Sequence, residues 1–478
     1  MFIGLDLGTS GLKAVLVDDS QRVLAEATAP LQVSRPQTGW SEQSPADWIA
    51  AAEAVFDRLR PVGLGSVRGI GLSGQMHGAT FLDATDEVLR PCILWNDTRA
   101  HEEAAELDGD PMFRRLTGNI VFPGFTAPKV LWLERHEPRL RERLARVLLP
   151  KDYLRLWLTG EHVAEMSDAA GTSWLDTGAR DWSDDLLAAT GLARSHMPRL
   201  VEGSEVSGHL RPELAARWGL PAGVVVAGGG GDNAASGVGA GVVRAGDAFV
   251  SLGTSGVLFA ANDGYHPDAA TAVHTFCHAL PGTWHQMGVI LAATDALNWY
   301  ARLLGAEAAT LTAELGPLQA PGQTLFLPYL GGERTPLNSA TVRGAFTGLE
   351  HATDRQAATR AVLEGVTLSI RDCRDALAAT GTRIETLLAV GGGSRSDYWL
   401  GAIATALGVP VHLPVAGDFG GAFGAARLAI MAATGAGAEI ATPPAIARVI
   451  PPDPGLSAAF DDAHARFRAA QSAIKDLK

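Results

Sequence analysis

The sequence contains little of several features that mark specialised protein classes. Its 478 residues include only three cysteines, an odd number, so we expect buried, reduced thiols and not a disulfide framework. Charged residues make up 19% and apolar residues 47%, which is typical of a globular chain and not of a disordered one. No apolar run is long enough to cross a bilayer, and no basic leader precedes the first strand. We therefore expect a cytoplasmic protein without a membrane partner.

Positive charge is also scarce, with 39 Lys and Arg against 52 Asp and Glu and a formal net charge of −13. This balance argues against nucleic acid as a partner, because its binding needs dense Lys and Arg. An anionic substrate would have to be bound by local donors and a metal ion. The thirteen histidines show no zinc-ligand spacing, and the chain has no G-x-x-x-x-G-K-[ST] phosphate loop.

The tetrapeptide Gly-Thr-Ser-Gly is present twice, at Gly8–Gly11 and at Gly253–Gly256. Each copy lies between two apolar runs, so each is predicted to form the turn of a β-hairpin. The amides and hydroxyls of such turns can bind phosphate oxygens. Two of them facing each other across a cleft would hold a nucleotide between related domains. The alternative is a pair of ordinary hairpins.

The order of elements also repeats between the two halves. A chain of this length suggests two or three domains, and we place the boundary between residues 243 and 244. A strand, a glycine-rich loop and a helix follow one another near residues 224–241 and again near residues 386–407, so each half is predicted to be α/β with a mixed sheet. A long helix is predicted over residues 354–379, with Thr353 as its N-cap.

Asp232 is the first candidate for chemistry. It follows four glycines at the end of an apolar strand and precedes a helix of small residues. Successive glycines pack nothing and cost backbone entropy, so they mark a place where other atoms come close. A carboxylate there could accept the proton of a substrate hydroxyl as that oxygen attacks phosphorus. The alternative is an ordinary helix cap.

Asp6 is the second candidate, in the strand before the first hairpin. Its side chain shares a face with Phe2 and Gly4 and should be half-buried, which is costly without a compensating partner. A hydrated Mg²⁺ that also contacts nucleotide phosphates would be such a partner. The alternative is a carboxylate that accepts hydrogen bonds from the amides of the adjacent turn.

Three further segments have the composition of ligand sites. Gln75, Met76 and His77 lie between glycines at the end of a predicted strand, where an amide and an imidazole could bind sugar hydroxyls. Trp95 begins a polar and aromatic run that is common in carbohydrate sites, although a buried Trp beside a surface turn explains it equally. The glycines of Gly391–Ser394 would let a nucleoside approach the backbone.

Taken together, these residues resemble the FGGY carbohydrate kinases, within the sugar kinase, Hsp70 and actin superfamily. The resemblance covers nearly the whole chain and is carried by these segments: Ile3–Ser10, Gly39–Gln43, Ser73–Gly78, Leu94–Arg99, Gly230–Asn233, Trp284–Val289, Tyr329–Pro336 and Gly391–Ser394. The chain departs from the family pattern at Leu337 and at Ala357 and Ala358.

The resemblance implies an α/β fold with two actin-like ATPase (ribonuclease H-like) domains and an active-site cleft between them. Residues 1–243 would bind the sugar and supply the base, and residues 244–478 would bind the nucleotide. The implied reaction is ATP-dependent phosphorylation of D-xylulose to D-xylulose 5-phosphate, with Mg²⁺. Ribulose, L-xylulose, glycerol or another polyol is the alternative substrate, and an actin- or Hsp70-like ATPase is the rival class. A homodimer is possible by analogy.

The implied site residues fall into three groups. Asp232 is the general base, and Asp6 assists at the phosphates and the metal. The sugar contacts are Gln75, Met76, His77, Trp95, Asp232 and Asn233. The nucleotide contacts are Gly8, Thr9, Ser10, Gly253, Thr254, Ser255, Gly392, Gly393 and Ser394.

Overall fold

The computed structural model describes residues 1–415, 417 and 419–474. The end of the predicted second domain, residues 475–478, lies outside this range. Strands of the first half are β1 (Phe2–Leu7), β2 (Gly11–Val17), β3 (Val23–Pro30), β4 (Glu42–Gln43), β5 (Gly69–Gly74), β6 (Thr80–Leu82), β7 (Cys92–Ile93), β8 (Arg146–Leu148), β9 (Val163–Glu165), β10 (Leu175–Asp176), β11 (Asp181–Trp182), β12 (Arg199–Val201), β13 (Val206–His209), β14 (Val225–Ala227) and β15 (Gly230–Gly231). Its helices are α1 (Pro45–Leu59), α2 (His101–Asp108), α3 (Pro111–Thr117), α4 (Thr126–His136), α5 (Pro138–Arg141), α6 (Pro150–Thr159), α7 (Met166–Ala169), α8 (Asp184–Ala188), α9 (Pro212–Trp218) and α10 (Asp232–Ala240).

The second half follows after a short turn. Its strands are β16 (Gly246–Leu252), β17 (Gly256–Asn262), β18 (His274–Cys277), β19 (Trp284–Ile290), β20 (Leu325–Leu327), β21 (Ala345–Thr347), β22 (Ile384–Val390), β23 (Val411–Pro414) and β24 (Ile446–Ile450). Its helices are α11 (Thr294–Leu303), α12 (Ala308–Ala313), α13 (Arg355–Ala379), α14 (Asp397–Leu407), α15 (Gly421–Thr434) and α16 (Ser457–Ile474).

Each half is built around a mixed sheet of the same design. The first sheet has the order β13-β14-β5-β1-β2-β3, with β15 added beside β5, and the second has the order β18-β19-β17-β16-β22-β23-β24. In both, the hairpin strands pair antiparallel and the first hairpin strand pairs parallel with a later strand, β5 or β22. The predictions of two related α/β halves, of a mixed sheet in each and of a hairpin at each Gly-Thr-Ser-Gly are confirmed.

Helix α15 links the halves, because it follows β23 of the second sheet yet packs on β1 and β5 of the first. The packing is close: an added Cβ on Gly4 would lie 1.8 Å from the carbonyl oxygen of Ala422, and one on Gly71 would lie 1.8 Å from that of Ala425. Helix α10 packs against the same helix. Glycines on β1 and β5 therefore allow a second-half helix to cover the first sheet.

Most predicted elements agree with the structure to within a few residues. The long helix α13 is present, but its N-cap is Asp354, whose side chain accepts from the Ala357 amide, so the assignment to Thr353 was wrong. The strand predicted to end before Gln75 is β5. All three cysteines are buried and free. No helix in the described ranges is both long and apolar enough to span a membrane.

Candidate active site

Asp232 is the first residue of α10, directly after the glycine run of residues 228–231. Added Cβ atoms on Gly228 and Gly229 would lie 2.2 and 2.1 Å from backbone oxygens of Glu202 and Leu72, so the chain can pass here only as glycine. The atoms that approach the glycines therefore belong to the protein's own backbone. The tight passage brings Asp232 to the end of β15, which pairs with β5.

Within the described residues, hydrogen bonds reach only one oxygen of the Asp232 carboxyl group. Oδ1 accepts from the backbone amide of Asn233 at 2.7 Å and from its side-chain amide at 2.9 Å. No residue in the described part of the chain donates a hydrogen bond to Oδ2. Although the side chain keeps some exposed surface, desolvation, followed by the negative charge of Asp6, raises its pKa to about 6, against the opposing effect of Asn233. A carboxylate with this pKa and one unused oxygen suits a proton acceptor.

Asp6 lies where β1 meets the N-terminus of α15. It accepts a hydrogen bond from the hydroxyl of Ser73 at 2.8 Å. An added Cβ on Gly421, the first residue of α15, would lie 2.9 Å from the Asp6 carboxyl carbon. A helix N-terminus favours negative charge, so this position suits a carboxyl group. Among the described residues no three His, Cys, Asp or Glu side chains cluster as a metal site.

His77 is held in one orientation by its neighbours. Its backbone has φ +68°, and its ring stacks on Phe125 with centroids 4.4 Å apart. Nδ1 lies 2.7 Å from the carbonyl oxygen of Gly171, to which it must donate, and burial lowers the pKa of His77 to about 3. The ring is therefore neutral with its proton on Nδ1, which leaves Nε2 as a hydrogen-bond acceptor.

Met76 joins this histidine to the catalytic-base candidate. Its side chain is buried, and an added Cβ on Gly231 would lie 2.9 Å from both its Cγ and its Sδ. The glycine immediately before Asp232 thus packs on the residue immediately before His77. The structure brings together Asp6, Met76, His77 and Asp232, which the sequence reasoning had selected separately.

Gln75 and Trp95 belong to a hydrogen-bond chain through the first hairpin. The Thr9 hydroxyl accepts from the Trp95 indole N–H and donates to Gln75 Oε1, both at 3.0 Å. Gln75 Nε2 donates to Gln43 Oε1 at 2.9 Å. Trp95 still exposes 48% of its surface, whereas Gln75 is buried. Direct sugar contacts by Gln75 and Trp95 stay predictions, and the structure shows that both help to fix Thr9.

The second hairpin is tied to α11 by its backbone. The backbone carbonyl oxygen of Thr254 accepts from the Ala293 amide at 2.8 Å, and that of Gly253 accepts from the Thr294 amide at 2.9 Å. The side chains of Thr254 and Ser255 are exposed, as is that of Ser10 in the first hairpin. Exposed hydroxyls at both tips are available to a ligand.

Two cavities meet the glycine loop after β22. A cavity of about 430 Å³ lies between the halves and is lined by Asn233, Ser251, Gly391 and Ser394, among others. A second one of about 610 Å³ is lined by Gly392 and Gly393 together with α11, α12 and the start of α14. Each volume is within the range of small-molecule sites. The wall formed by Asn298 and the small residues of α12 was missed from the sequence, because it carries neither charge nor a glycine motif.

Family models and relatives agree with this arrangement. The models for the N- and C-terminal domains of the FGGY family of carbohydrate kinases match residues 1–239 and 248–433. A xylulose kinase from Escherichia coli (strain K12) is 48% identical over 437 residues, which is 91% of this chain and 90% of the relative. A crystallised "xyloylose kinase" from Brucella ovis has a TM-score of 0.98 and 62% identity, covering 100% of this chain and 99% of that one. For a xylulose kinase from Rhodospirillum rubrum the TM-score is 0.92 and the identity 33%, with 98% of both chains covered.

The chain folds into two related α/β halves around a shared cleft. Together with these matches, this architecture defines a sugar kinase built from two actin-like ATPase domains. The predicted fold class and the predicted ATP-dependent kinase activity are thereby confirmed. The chain belongs to the FGGY family of carbohydrate kinases. The domain boundary between residues 243 and 244 falls in the stretch between the two family models and stays a prediction.

Proposed function

We propose that the chain transfers the γ-phosphoryl group of ATP to D-xylulose, with Asp232 as the general base. The xylulose kinases among its relatives support this substrate. The Asp232 carboxyl group, which has one unused oxygen and follows a glycine packed on Met76, carries the assignment of the base. Asp232 accepts the proton of the C5 hydroxyl as that oxygen bonds to the γ-phosphorus. The bond to the β–γ bridging oxygen breaks, and ADP leaves with D-xylulose 5-phosphate as the other product.

The remaining residues position the reactants. His77 Nε2 accepts a hydrogen bond from a sugar hydroxyl, and Asn233 and Met76 complete the sugar contacts. The exposed hairpin tips at Ser10 and at Thr254 and Ser255 contact the phosphates, and Gly392–Ser394 contact the adenosine. Holding two substrates in line supplies a large part of phosphoryl-transfer catalysis.

Mg²⁺ fits the residues present. A protein usually gives Mg²⁺ one or two carboxylates, with phosphates and water as the other ligands. Asp6, at the end of the hairpin strand, is the carboxylate we propose for this contact, directly or through water. Bound Mg²⁺ would neutralise charge on the phosphates. A cytoplasmic location and a homodimer stay predictions.

An ADP-release assay with a panel of sugars tests the proposal. D-Xylulose should support the highest kcat/KM, above D-ribulose, L-xylulose and glycerol, and removal of Mg²⁺ should abolish turnover. Asp232→Asn keeps the side-chain volume and should lower kcat at least about 100-fold, since general-base catalysis typically supplies about 10²–10⁴ in rate. Asp47→Asn, on the exposed face of α1, is the control and should leave kcat unchanged. Full turnover by Asp232→Asn would remove the base assignment, and a preference for glycerol would remove the substrate.

A further inference from the structure

One short segment of the first half is hydrogen-bonded both to the glycine before Asp232 and to His77. Residues 165–172, here called the bracket segment, run from the end of β9 through α7. The backbone amide of Gly231 donates to the hydroxyl of Ser167 at 3.0 Å. At the other end of the segment, the carbonyl oxygen of Gly171 accepts from His77 Nδ1 at 2.7 Å. The residue before Asp232 and the ring of His77 are thus both bonded to the same few residues.

The hydroxyl of Ser167 has a fixed direction. Ser167 is fully buried, and its Oγ lies 2.8 Å from Oε2 of Glu165. Because a carboxylate only accepts, Ser167 must donate its single proton to Glu165, which leaves its lone pairs for Gly231. Glu165 also accepts from the amides of Ser167 and Asp168, at 2.7 and 2.9 Å. The hydroxyl oxygen of Ser167 is therefore oriented to accept the hydrogen bond from Gly231.

A buried ion cluster anchors the bracket segment. Lys151 Nζ lies 3.5 Å from Glu165, 3.3 Å from Asp168 and 2.6 Å from Asp152, and all four side chains are fully buried. Arg155 bonds to Asp152 at 2.8 Å and also donates to the carbonyl oxygen of Gly228. Buried charges are costly when their partners move, so this cluster resists distortion. Gly228, at one end of the glycine run, is bonded to this cluster directly, and Gly231, at the other end, is bonded to it through Ser167.

Gly171 leaves no room for any other residue. An added Cβ would lie 2.6 Å from Nδ1 and Cε1 of His77 and 3.0 Å from Cε of Met76. The glycine has an ordinary backbone conformation, so an alanine there would be strained only by these contacts. Its absence of a side chain sets how closely His77 approaches the segment.

We propose that the bracket segment fixes the spacing between Asp232 and His77, with Ser167 and Gly171 as positioning residues. This inference rests on the proposed function, in which those two side chains contact the same sugar. Ser167 acts through Gly231 on the direction of the Asp232 carboxyl group. Gly171 acts on the imidazole of His77 directly. The ion cluster around Lys151 keeps the two contacts at a constant separation.

Ser167→Ala tests the first contact by removing the bond to Gly231. We expect kcat to fall about 10- to 100-fold, as for a misplaced catalytic group, with KM for D-xylulose and for ATP within about twofold of wild type. The matched control is Ser207→Ala, which removes a buried hydroxyl whose proton lies between the carbonyl oxygens of Val226 and Ala227 on the neighbouring strand β14. The control should lose a similar amount of thermal stability and keep its kcat. An equal fall of kcat in both variants would overturn the positioning role of Ser167.

Gly171→Ala tests the second contact. The added methyl group should displace His77 and raise KM for D-xylulose about tenfold, while KM for ATP stays unchanged. Gly401→Ala, in the interior of α14 with its nearest neighbour atom at an ordinary 3.4 Å, is the control and should change neither constant. Unchanged KM for D-xylulose in Gly171→Ala, or an equal rise for both substrates, would contradict the proposal.

A double-mutant cycle separates this inference from the proposed function. In an Asp232→Asn background, Ser167→Ala should change the residual kcat less than about twofold, because the group that it aligns is no longer a base. An additive fall would mean that Ser167 acts elsewhere. If wild type releases no ADP with D-xylulose, or if Asp232→Asn retains its turnover, the proposed function fails. If those two results are as expected and Ser167→Ala has wild-type kcat, the positioning inference alone fails.

Discussion

At the scale of single residues, Asp232 is subject to opposing demands. The proposed role as a base requires the ionised carboxylate, but desolvation and the negative charge of Asp6 disfavour that form. Among the described residues, Asn233 alone donates hydrogen bonds that offset this cost. If Asp232 is the base, as we propose, its raised pKa is obtained at the expense of folding stability, a trade-off that is common at active sites.

The sign of this cost gives a prediction for Asp232→Asn. The folded-state pKa of about 6 lies above the ordinary 3.8, so between these values the native state binds more protons than the unfolded state. The free energy of unfolding of wild type then falls as pH rises from about 4 to 6. Allowing for partial solvent exposure, we expect Asp232→Asn to be about 1–2 kcal/mol more stable than wild type above pH 7 and equal to it below pH 4.

Urea unfolding at pH 4, 6 and 8 measures the stability difference between the two proteins. The dependence of kcat/KM on pH over the same range reports the ionisation of the proposed base. Wild-type kcat/KM should rise with pH and level off above about pH 7, because the carboxylate must be ionised to accept a proton. A stability difference that is independent of pH would contradict the raised pKa of Asp232.

Whether a site residue could be recognised in the sequence depended on the pattern of the residues beside it. Asp232 was recognisable because four glycines precede it. The structure explains Gly228 and Gly229 by backbone atoms of Glu202 and Leu72, and Gly231 by the side chain of Met76. Ser167 and Gly171 were not, since each is an ordinary small residue whose partner lies far along the chain. Contacts between distant segments leave no periodicity in the sequence.

At the scale of elements, the halves meet through small residues of α10 and α15. An added Cβ on Gly424 would lie 1.8 Å from the carbonyl oxygen of Ala235 and 2.9 Å from the amide nitrogen of Gly239. These are backbone atoms that cannot rotate away. The sequence predicted α10 from its small residues, but it could not reveal that α15 packs across the first sheet, because helix propensity is a local property.

This packing predicts an unusual sign for Gly424→Ala. In an exposed helix interior the change stabilises by about 0.5–1 kcal/mol. Here the methyl group would force α10 and α15 apart, and overpacking typically costs about 1–3 kcal/mol, so we expect a net loss of stability. Gly401→Ala in α14 lacks such a clash and should raise the melting temperature. Thermal unfolding of both variants decides this, and a gain for Gly424→Ala would mean that the two helices separate easily.

At the scale of the whole molecule, the chain passes between the two sheets several times. Residues 241–245 join α10 to β16, and α15 packs on the first sheet although it lies between β23 and β24 of the second in the chain. The halves are therefore linked by more than one part of the chain. Paired motifs in the sequence indicated the repeat of the two halves and the crossing from α10 to β16. They did not indicate that α15 returns to the first sheet.

Closure of the halves on substrate would exclude water, which otherwise hydrolyses ATP. Arg244 reports on this motion, because it is exposed in the crossing while Val242, Val243 and Gly246 around it are buried. Trypsin needs several residues in extended form, so cleavage after Arg244 requires the crossing to open locally. We expect 5-deoxy-D-xylulose, which lacks the accepting hydroxyl, to slow this cleavage several-fold. Cleavage after Arg139, exposed in the short helix α5, should keep its rate and serves as the internal control. Equal slowing at both sites would indicate general stabilisation by ligand, and an unchanged rate at Arg244 would mean that sugar binding does not close the crossing.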